Sequence, residues 1–399
     1  MSYQKAFNQY PVLSATKTLP ASWSSSDEPS PIPSRCFAVQ TVSNNKQTVG
    51  ESDQCSFGMA THSFSLVESG VLALRGKLNV TCGTGGAGAF ELKAGVATTF
   101  ERLEITLNGG NSETVPHYWL ESQKRYIYAL SNENRKIGNL LELAGAVTFT
   151  ANTTTSHEFC LPLKLSSIFY NDRDFPLYLC SSVTITLYTR SCADIFNANV
   201  TSFTITEPTL VYNRIEIDPQ VCNQIRQNVM GGTPYIMNMV AYDNVSQNAT
   251  GNPYVQYNKS LKSLLGVQLT SFNTTVLNGT KLDNLSVKVD GLQITSGLYK
   301  NDKEVLYNTL KFYNKIDDKN VAILDDVTAA NFLTDYYLLS IDTVNVNELG
   351  YSQKGISCSQ IEVSPTYSAS PNGIMYISFY YDARLIFNPD GTIIVNYSM

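Results

Sequence analysis

Short runs rich in Val, Ile, Thr, Tyr and Phe recur along most of this chain, and several alternate apolar with polar residues. In VTITLY, Val183, Ile185 and Leu187 fall on one face. A period of two is that of a pleated strand with one face buried, so the pattern commits the chain to sheets. Runs of this kind cover Ser63 to Leu66, Val71 to Thr81, Thr98 to Leu107, Ala146 to Thr150, Phe159 to Ile168, Leu177 to Tyr188 and Phe203 to Ile217. They resume at Ser263 to Phe272, Leu285 to Ile294, Tyr336 to Val346, Ile356 to Val363, Ile374 to Phe387 and Thr392 to Tyr397. Asp390-Gly391 between the last two is a hairpin turn signal.

Two stretches break the period. In HYWLESQKRYIYALSNENRKIGNLLELAG, Trp119, Leu120, Gln123, Ile127 and Leu130 recur at helical spacing, with the charged Glu121, Lys124 and Arg125 expected mostly on another face. In KNDKEVLYNTLKFYNK, Val305, Leu306, Leu310 and Tyr313 do the same. A third short helical pattern, PQVCNQIRQNVMGGTP, opens at Pro219 and closes at Gly231, Gly232 and Pro234, as a junction would. The order of strands, helix-bearing insertion and strands therefore occurs twice, and two similar all-β units of antiparallel sheets fit the spacing. Four prolines in LPASWSSSDEPSPIPSR give the N-terminus the character of an extended arm.

Composition removes several functions. Lys and Arg number 28 against 34 Asp and Glu, a net charge of −6, without the clustered cations that coating a nucleic acid requires. No run approaches the ~20 apolar residues of a membrane helix, and the N-terminus lacks the apolar core of a signal peptide, so a soluble chain made in the cytosol is expected. The eight cysteines, none in a C-x-x-C pair, read as buried free thiols, and three histidines offer little to a zinc site.

Candidate chemistry is sparse. Gly83, Gly85 and Gly88 stand in G-x-G-x-x-G order, but strand-like sequence follows where a phosphate-binding helix would have to begin, so a hairpin loop is expected. His62, His117 and His157 are isolated in sequence. The carboxylates Asp317-Asp318 and Asp325-Asp326, near Lys315 and Lys319, lack calcium-loop spacing and read as a solvated loop. Of ten N-x-[ST] sequons, six lie between Asn244 and Asn284 and mark that region as polar, loop-rich and exposed. No catalytic, cofactor-binding or metal residue is assigned, and no cofactor is expected. With 24 Tyr and 17 Phe, aromatic side chains are available either to a β core or to interfaces.

Several segments resemble the double jelly-roll major capsid proteins of tailless icosahedral double-stranded DNA viruses, the tectivirus and adenovirus-hexon lineage. In FCLPLKLSSIFYNDRDFPLYLCSSVTITLYTR these are the L-P-L opening at Leu161 to Leu163, the aromatic corner Phe169-Tyr170 and the strand led by Pro176. TITEPTLVYNRIEIDPQ resembles the last strand of a first roll running into a linker; SLKSLLGVQLT and SFYYDARLIFN resemble strands of a second. The resemblance implies an all-β fold of two tandem eight-stranded jelly rolls with short helical insertions. Its units would be an arm over residues 1–35, a first roll over 36–217, a linker with a short helix over 218–234 and a second roll over 235–399. It further implies a non-enzymatic capsid protein of the virion, forming homotrimeric pseudo-hexagonal capsomers. Its partners would be itself, neighbouring capsomers, minor capsid or penton proteins and an underlying membrane layer, with no sequence-specific nucleic-acid binding. The insertions Ser112 to Gly145 and Lys300 to Thr334 would sit at an end of the rolls or at inter-chain contacts. The alternative is a β-sandwich viral surface protein that binds a carbohydrate or receptor; a polysaccharide-processing enzyme with distant carboxylates is a third possibility.

Overall fold

The computed structural model describes residues 34–61, 63–171, 173–248, 255–273, 276–278, 282–295, 302–313, 327–328, 331–343, 356–367 and 373–397. Eight main strands form the first half: β1 (Ser34–Val42), β2 (Gln54–Met59), β3 (Ala73–Cys82), β4 (Phe100–Leu107), β5 (Gly110–Val115), β6 (Thr154–Pro162), β7 (Val183–Thr189) and β8 (Val200–Ile217). One sheet runs β1-β8-β3-β6 and the other β2-β7-β4-β5, all neighbours antiparallel. By position in the chain the orders are 1-8-3-6 and 2-7-4-5, the double Greek key of a jelly roll. The alternation in β7 is realised: Val183, Ile185 and Leu187 are buried between the sheets and Thr184, Thr186 and Tyr188 lie on the outer side.

The second half repeats this order with one economy. Its strands are β9 (Tyr235–Asn248), β10 (Val255–Asn273), β11 (Leu282–Val289), β12 (Leu292–Gln293), β13 (Leu339–Asp342), β14 (Ile356–Tyr367) and β15 (Ile374–Phe387). The first part of β10 pairs with β14, which continues to β11 and β12, whereas its second part pairs with β15 and β13. Register shifts at Asn258/Lys262 and Leu264/Gly266 mark the crossing. Such irregularities let one strand turn a corner between sheets. Counted as both second and third strand, β10 restores 1-8-3-6 and 2-7-4-5.

Helices lie where the period breaks. Between β5 and β6 stand α1 (Tyr118–Tyr128) and α2 (Asn132–Leu141). Ser131 caps α2 by accepting from the Asn134 amide, and Arg135 donates to the Tyr126 and Ile127 carbonyls, satisfying acceptors that the end of α1 leaves open. The halves are joined by α3 (Pro219–Met230), with Asp218 accepting from the Gln220 amide and Pro219 at the first helical position. Between β12 and β13 lies α4 (Asp302–Phe312). The Phe312 ring packs so closely on β10 that a Cβ at Gly266 would come 2.5 Å from it, and only glycine fits there. The helical insertions thus occupy the same connection, fifth strand to sixth, in both halves.

Sequence periodicity misses β1, β2, β5 and β9. Ser34 and Arg35, placed in the arm by sequence, already pair with Ile217 and Glu216. In β9, Tyr235, Met237, Met239 and Ala241 alternate inward, a regular pattern that after Tyr235 is carried by Met and Ala, which are not among the strand-favouring residues. The sequon-rich region is also not loop-rich: β9, β10 and β11 occupy most of its described residues. Asp317, Asp318, Asp325, Asp326, Lys315, Lys319 and His62 lie outside the described residues.

Candidate functional site

The most distinctive chemistry lies in the seam between the two halves. In β15, residues 375–381 are buried on both faces. Met375, Ile377, Phe379 and Tyr381 belong to the core, and Tyr376, Ser378 and Tyr380 meet α1 of the first half. Glu121 and Lys124, expected on a polar outer face, are instead buried here, at 5% and 0% exposure.

Lys124 Nζ donates to Glu121 Oε1 at 2.8 Å and to Ser378 Oγ at 2.7 Å. Ser378 Oγ donates to Glu121 Oε1 at 2.8 Å and accepts from Asn244 Nδ2 at 2.9 Å. The Tyr380 hydroxyl donates to Glu121 Oε2 at 2.7 Å and lies 2.6 Å from Gln268 Oε1. Burial pulls the Lys124 ammonium below the usual lysine range, opposed by the Glu121 charge. It pushes the Tyr380 phenol well up, reinforced by the same carboxylate. A buried ion pair persists only when its remaining hydrogen-bonding positions are filled, and here Ser378 and Tyr380 of β15 fill them for a helix of the first half, with Asn244 of β9 bonded in turn to Ser378. The charge pair is therefore a joint between halves.

Further contacts extend the seam. Tyr376 makes edge contacts with the rings of His117 and Trp119, at centroid distances of 5.1 and 5.6 Å. His117 lies between β5 and α1 in the left-handed region, φ 47°, with Nδ1 2.6 Å from Glu101 Oε1. Arg190 stacks over Trp119 at 4.2 Å. Tyr128 donates to the Tyr336 carbonyl, and Lys93 Nζ to the Tyr336 hydroxyl at 2.7 Å. At the far side Asn108 Nδ2 donates to the Gly391 carbonyl at 2.9 Å.

The edge of β9 is also covered. The carbonyl of Asn238 accepts from Asn171 Nδ2 at 2.5 Å, and that of Val240 lies 2.9 Å from Ser167 Oγ. Behind Ser167 sits the buried Glu113 of β5, reached by Ser166 Oγ (2.7 Å), Ser167 Oγ (2.7 Å) and the Ser167 amide (2.6 Å). Desolvation raises the Glu113 carboxyl against the lowering effect of those donors. A protonated Glu113 can donate to Ser167 Oγ, freeing the serine hydrogen for Val240. An exposed strand edge is a template for pairing with another chain, and here the first half blocks it with side chains.

The other sequence candidates disperse. Gly83 and Gly85 lie in a turn, and Gly88 begins a short strand, Gly88–Ala89, that pairs with Thr148–Phe149 rather than a helix. A Cβ at Gly88 would lie 2.6 Å from Cys82 Sγ and Val200 Cγ2, so packing accounts for that glycine. His157 meets the Phe149 ring, and His117 the rings of Trp119 and Tyr376. All eight cysteines are free, and burial pushes Cys55 and Cys222 up to about 12 and Cys192 to about 11. Among the described residues no cluster of His, Cys, Asp or Glu could hold a metal ion, and no helix is long and apolar enough to cross a membrane. A groove of about 380 Å³ opens on the outer face of the first sheet, between Leu140 and Leu141 of α2 and the strand residues Arg75, Lys77 and Glu158.

No family model matches the sequence, and no curated protein matches it. Solved structures do. VP54 of the virus PBCV-1, fitted into a cryo-EM reconstruction of the virophage Sputnik, aligns with TM-score 0.63 at 12% identity, over 94% of this chain and 100% of that one. The chain has a double jelly-roll fold. The Faustovirus major capsid protein aligns with TM-score 0.59 at 10% identity, over 93% of each chain. A chain of the Sputnik virophage cryo-EM structure aligns with TM-score 0.55 at 12% identity, over 95% of this chain and 92% of that one. The expected two tandem jelly rolls with short helical insertions are thus the observed architecture.

Proposed function

We propose that this chain is a non-enzymatic major capsid protein of a virion, and that three copies form a pseudo-hexagonal capsomer. The observation that carries this reading is the pairing of two rolls of the same strand order through a buried polar seam. Two rolls per chain let three chains approximate sixfold packing while the assembly keeps threefold symmetry. Such an arrangement requires a fixed angle between rolls. The buried Glu121–Lys124 joint, the Tyr376 wedge and the blocked β9 edge all favour one. The named structural neighbours, a major capsid protein among them, support the same reading.

In this reading the first roll begins with β1 at Ser34 and runs to residue 217, residues 218–234 are the linker, 235–399 the second roll, and the residues before Ser34 an arm toward neighbouring molecules. Adjacent capsomers, minor or penton proteins and an underlying membrane layer are the other proposed contacts. The test is light scattering on the eluting peak of a size-exclusion column, with electron microscopy of the same material. A mass three times that of the 44.0 kDa chain and three-lobed particles are expected. A chain that stays monomeric at every concentration and builds no shell refutes the proposal.

A further inference from the structure

The seam gathers an amine, a carboxyl and an amide around one hydroxyl. Asn244 of β9 and Ser378 of β15 are directly paired residues, and both side chains lie on the face that meets α1. Ser378 Oγ accepts from Lys124 Nζ at 2.7 Å and from Asn244 Nδ2 at 2.9 Å, and it donates to Glu121 Oε1 at 2.8 Å. Glu121 Oε1 also lies 2.8 Å from Lys124 Nζ. The amine of one half is therefore separated from the amide of the other by a single oxygen atom.

Further observations set this amide apart. Asn244 Oδ1 is buried and accepts no hydrogen bond among the described residues. The other buried amide of the seam, Gln268, is occupied at both ends: Oε1 lies 2.6 Å from the Tyr380 hydroxyl, and Nε2 donates to the Tyr313 and Ser340 hydroxyls, each at 3.1 Å. A buried carbonyl oxygen without a donor is an uncommon resting state. Lys124 is fully buried, and burial favours its neutral, nucleophilic form. The next pair along the same two strands, Tyr242 and Tyr380, stands in edge contact at 5.6 Å and helps to shield the group from water.

We propose that Lys124 and Asn244 react with each other to form an amide bond between the two halves. The bond that forms joins Lys124 Nζ to Asn244 Cγ; the bond that breaks is Cγ–Nδ2, with ammonia as the leaving group. Lys124 first passes a proton to Glu121 Oε1 along their hydrogen bond. The Nζ lone pair then attacks Cγ, and the carbonyl electron pair moves onto Oδ1, whose accepting positions are open. Nδ2 takes a proton from the Glu121 acid through Ser378 Oγ, which touches both. The carbonyl re-forms as ammonia departs, and Nζ gives its second proton to the Glu121 carboxylate. Ammonium, carboxylate and amide thus end as a secondary amide, a protonated Glu121 and ammonia, and no oxidant or cofactor enters. Holding amine and amide together replaces a bimolecular encounter with an intramolecular one. The freshly folded chain holds the ion pair, and the bond accumulates afterwards. Once formed, it gives the halves a second covalent connection beside α3. The inference stands on the seam of a single chain and is independent of the capsomer reading.

The experiment is mass spectrometry of the folded full-length chain, sampled from purification through days of incubation. The intact mass is expected to fall by one ammonia. Trypsin, blocked at Lys124, is expected to yield a branched peptide joining residues 103–125 to residues 227–259. Glu121→Gln keeps the side-chain size and removes the proton carrier, and should slow formation about 10²-fold or more. Asn244→Ala should abolish the branch. An unchanged mass in protein that melts cooperatively overturns the proposal, as does loss of ammonia without a branched peptide, the signature of cyclisation at an Asn-Gly site. A branch that forms as fast in a folded Glu121→Gln protein, or in the wild-type chain unfolded in urea, overturns it too. Should Glu121→Gln not fold, the comparison of folded with unfolded wild type decides alone.

Discussion

The joint between the rolls makes a quantitative prediction. Lys124→Met keeps most of the side-chain volume and removes both Nζ hydrogen bonds, to Glu121 and to Ser378. The Glu121 carboxylate then stays buried with its hydroxyl donors but without its countercharge. Breaking a buried pair from one side costs about 3–5 kcal/mol. At roughly 2–4 °C per kcal/mol for a unit of this size, melting should fall by on the order of 10 °C. The double variant Glu121→Leu, Lys124→Met removes both charges. Its loss is about 1–3 kcal/mol from hydroxyls left without the carboxylate, against a gain of about 1–4 kcal/mol from charges no longer desolvated. The double variant should therefore melt close to wild type and well above the single variant. Thermal unfolding by circular dichroism, with coupling taken from the full cycle, is the assay. A Lys124→Met protein melting within about 2 °C of wild type would refute the claim that this pair is buried between the rolls. The pH dependence follows with its sign. Because the folded Lys124 lies below the ordinary lysine value of 10.5, its contribution to stability is present above that value and is lost as pH falls toward the folded pKa. Lys124→Met should flatten the alkaline limb of the stability profile.

Other positions yield further outcomes. The raised Glu113 carboxyl contributes stability that is full below 4.5, the ordinary glutamate value, and is lost as pH rises through its folded pKa. Melting temperatures across that range should show this decline, and Glu113→Gln should flatten it. Gly266→Ala pushes a methyl into Phe312, which should cost about 1–3 kcal/mol and lower the melting temperature in proportion; an unchanged melt would show that α4 is not seated on β10. Tyr376→Ala empties the wedge between His117 and Trp119 and should cost about 3–5 kcal/mol, read in the same assay.

Much of the fold was legible because its core obeys a simple period. Ile374 to Phe387 has the same bounds in sequence and structure, and the Asp390-Gly391 turn follows it, with Gly391 at φ 80° and Asp390 Oδ1 accepting from the Thr392 amide. The matching positions of α1 and α4 were equally readable from helical spacing. The seam was not. Glu121 and Lys124 look like a solvated i,i+3 pair, and only tertiary packing against β15 reverses that, because periodicity records which residues share a face and not what covers it. The one available signal was in YISFYYDARLIF, where the positions between core residues are Tyr376, Ser378 and Tyr380 rather than charged groups. The strand β1 escaped notice for a related reason: neither of its faces is deeply buried in a single chain, so selection for a core leaves little alternation to read.

The shared strand β10 has a mechanical consequence. In the first half the second and third strands are separate segments joined by a connection, so the two sheets can respond to a load with some independence. In the second half one continuous backbone belongs to both layers, and a pull on either layer is carried to the other through covalent bonds. The second roll should accordingly yield under force as a single block, with the compliance of the chain concentrated in the first.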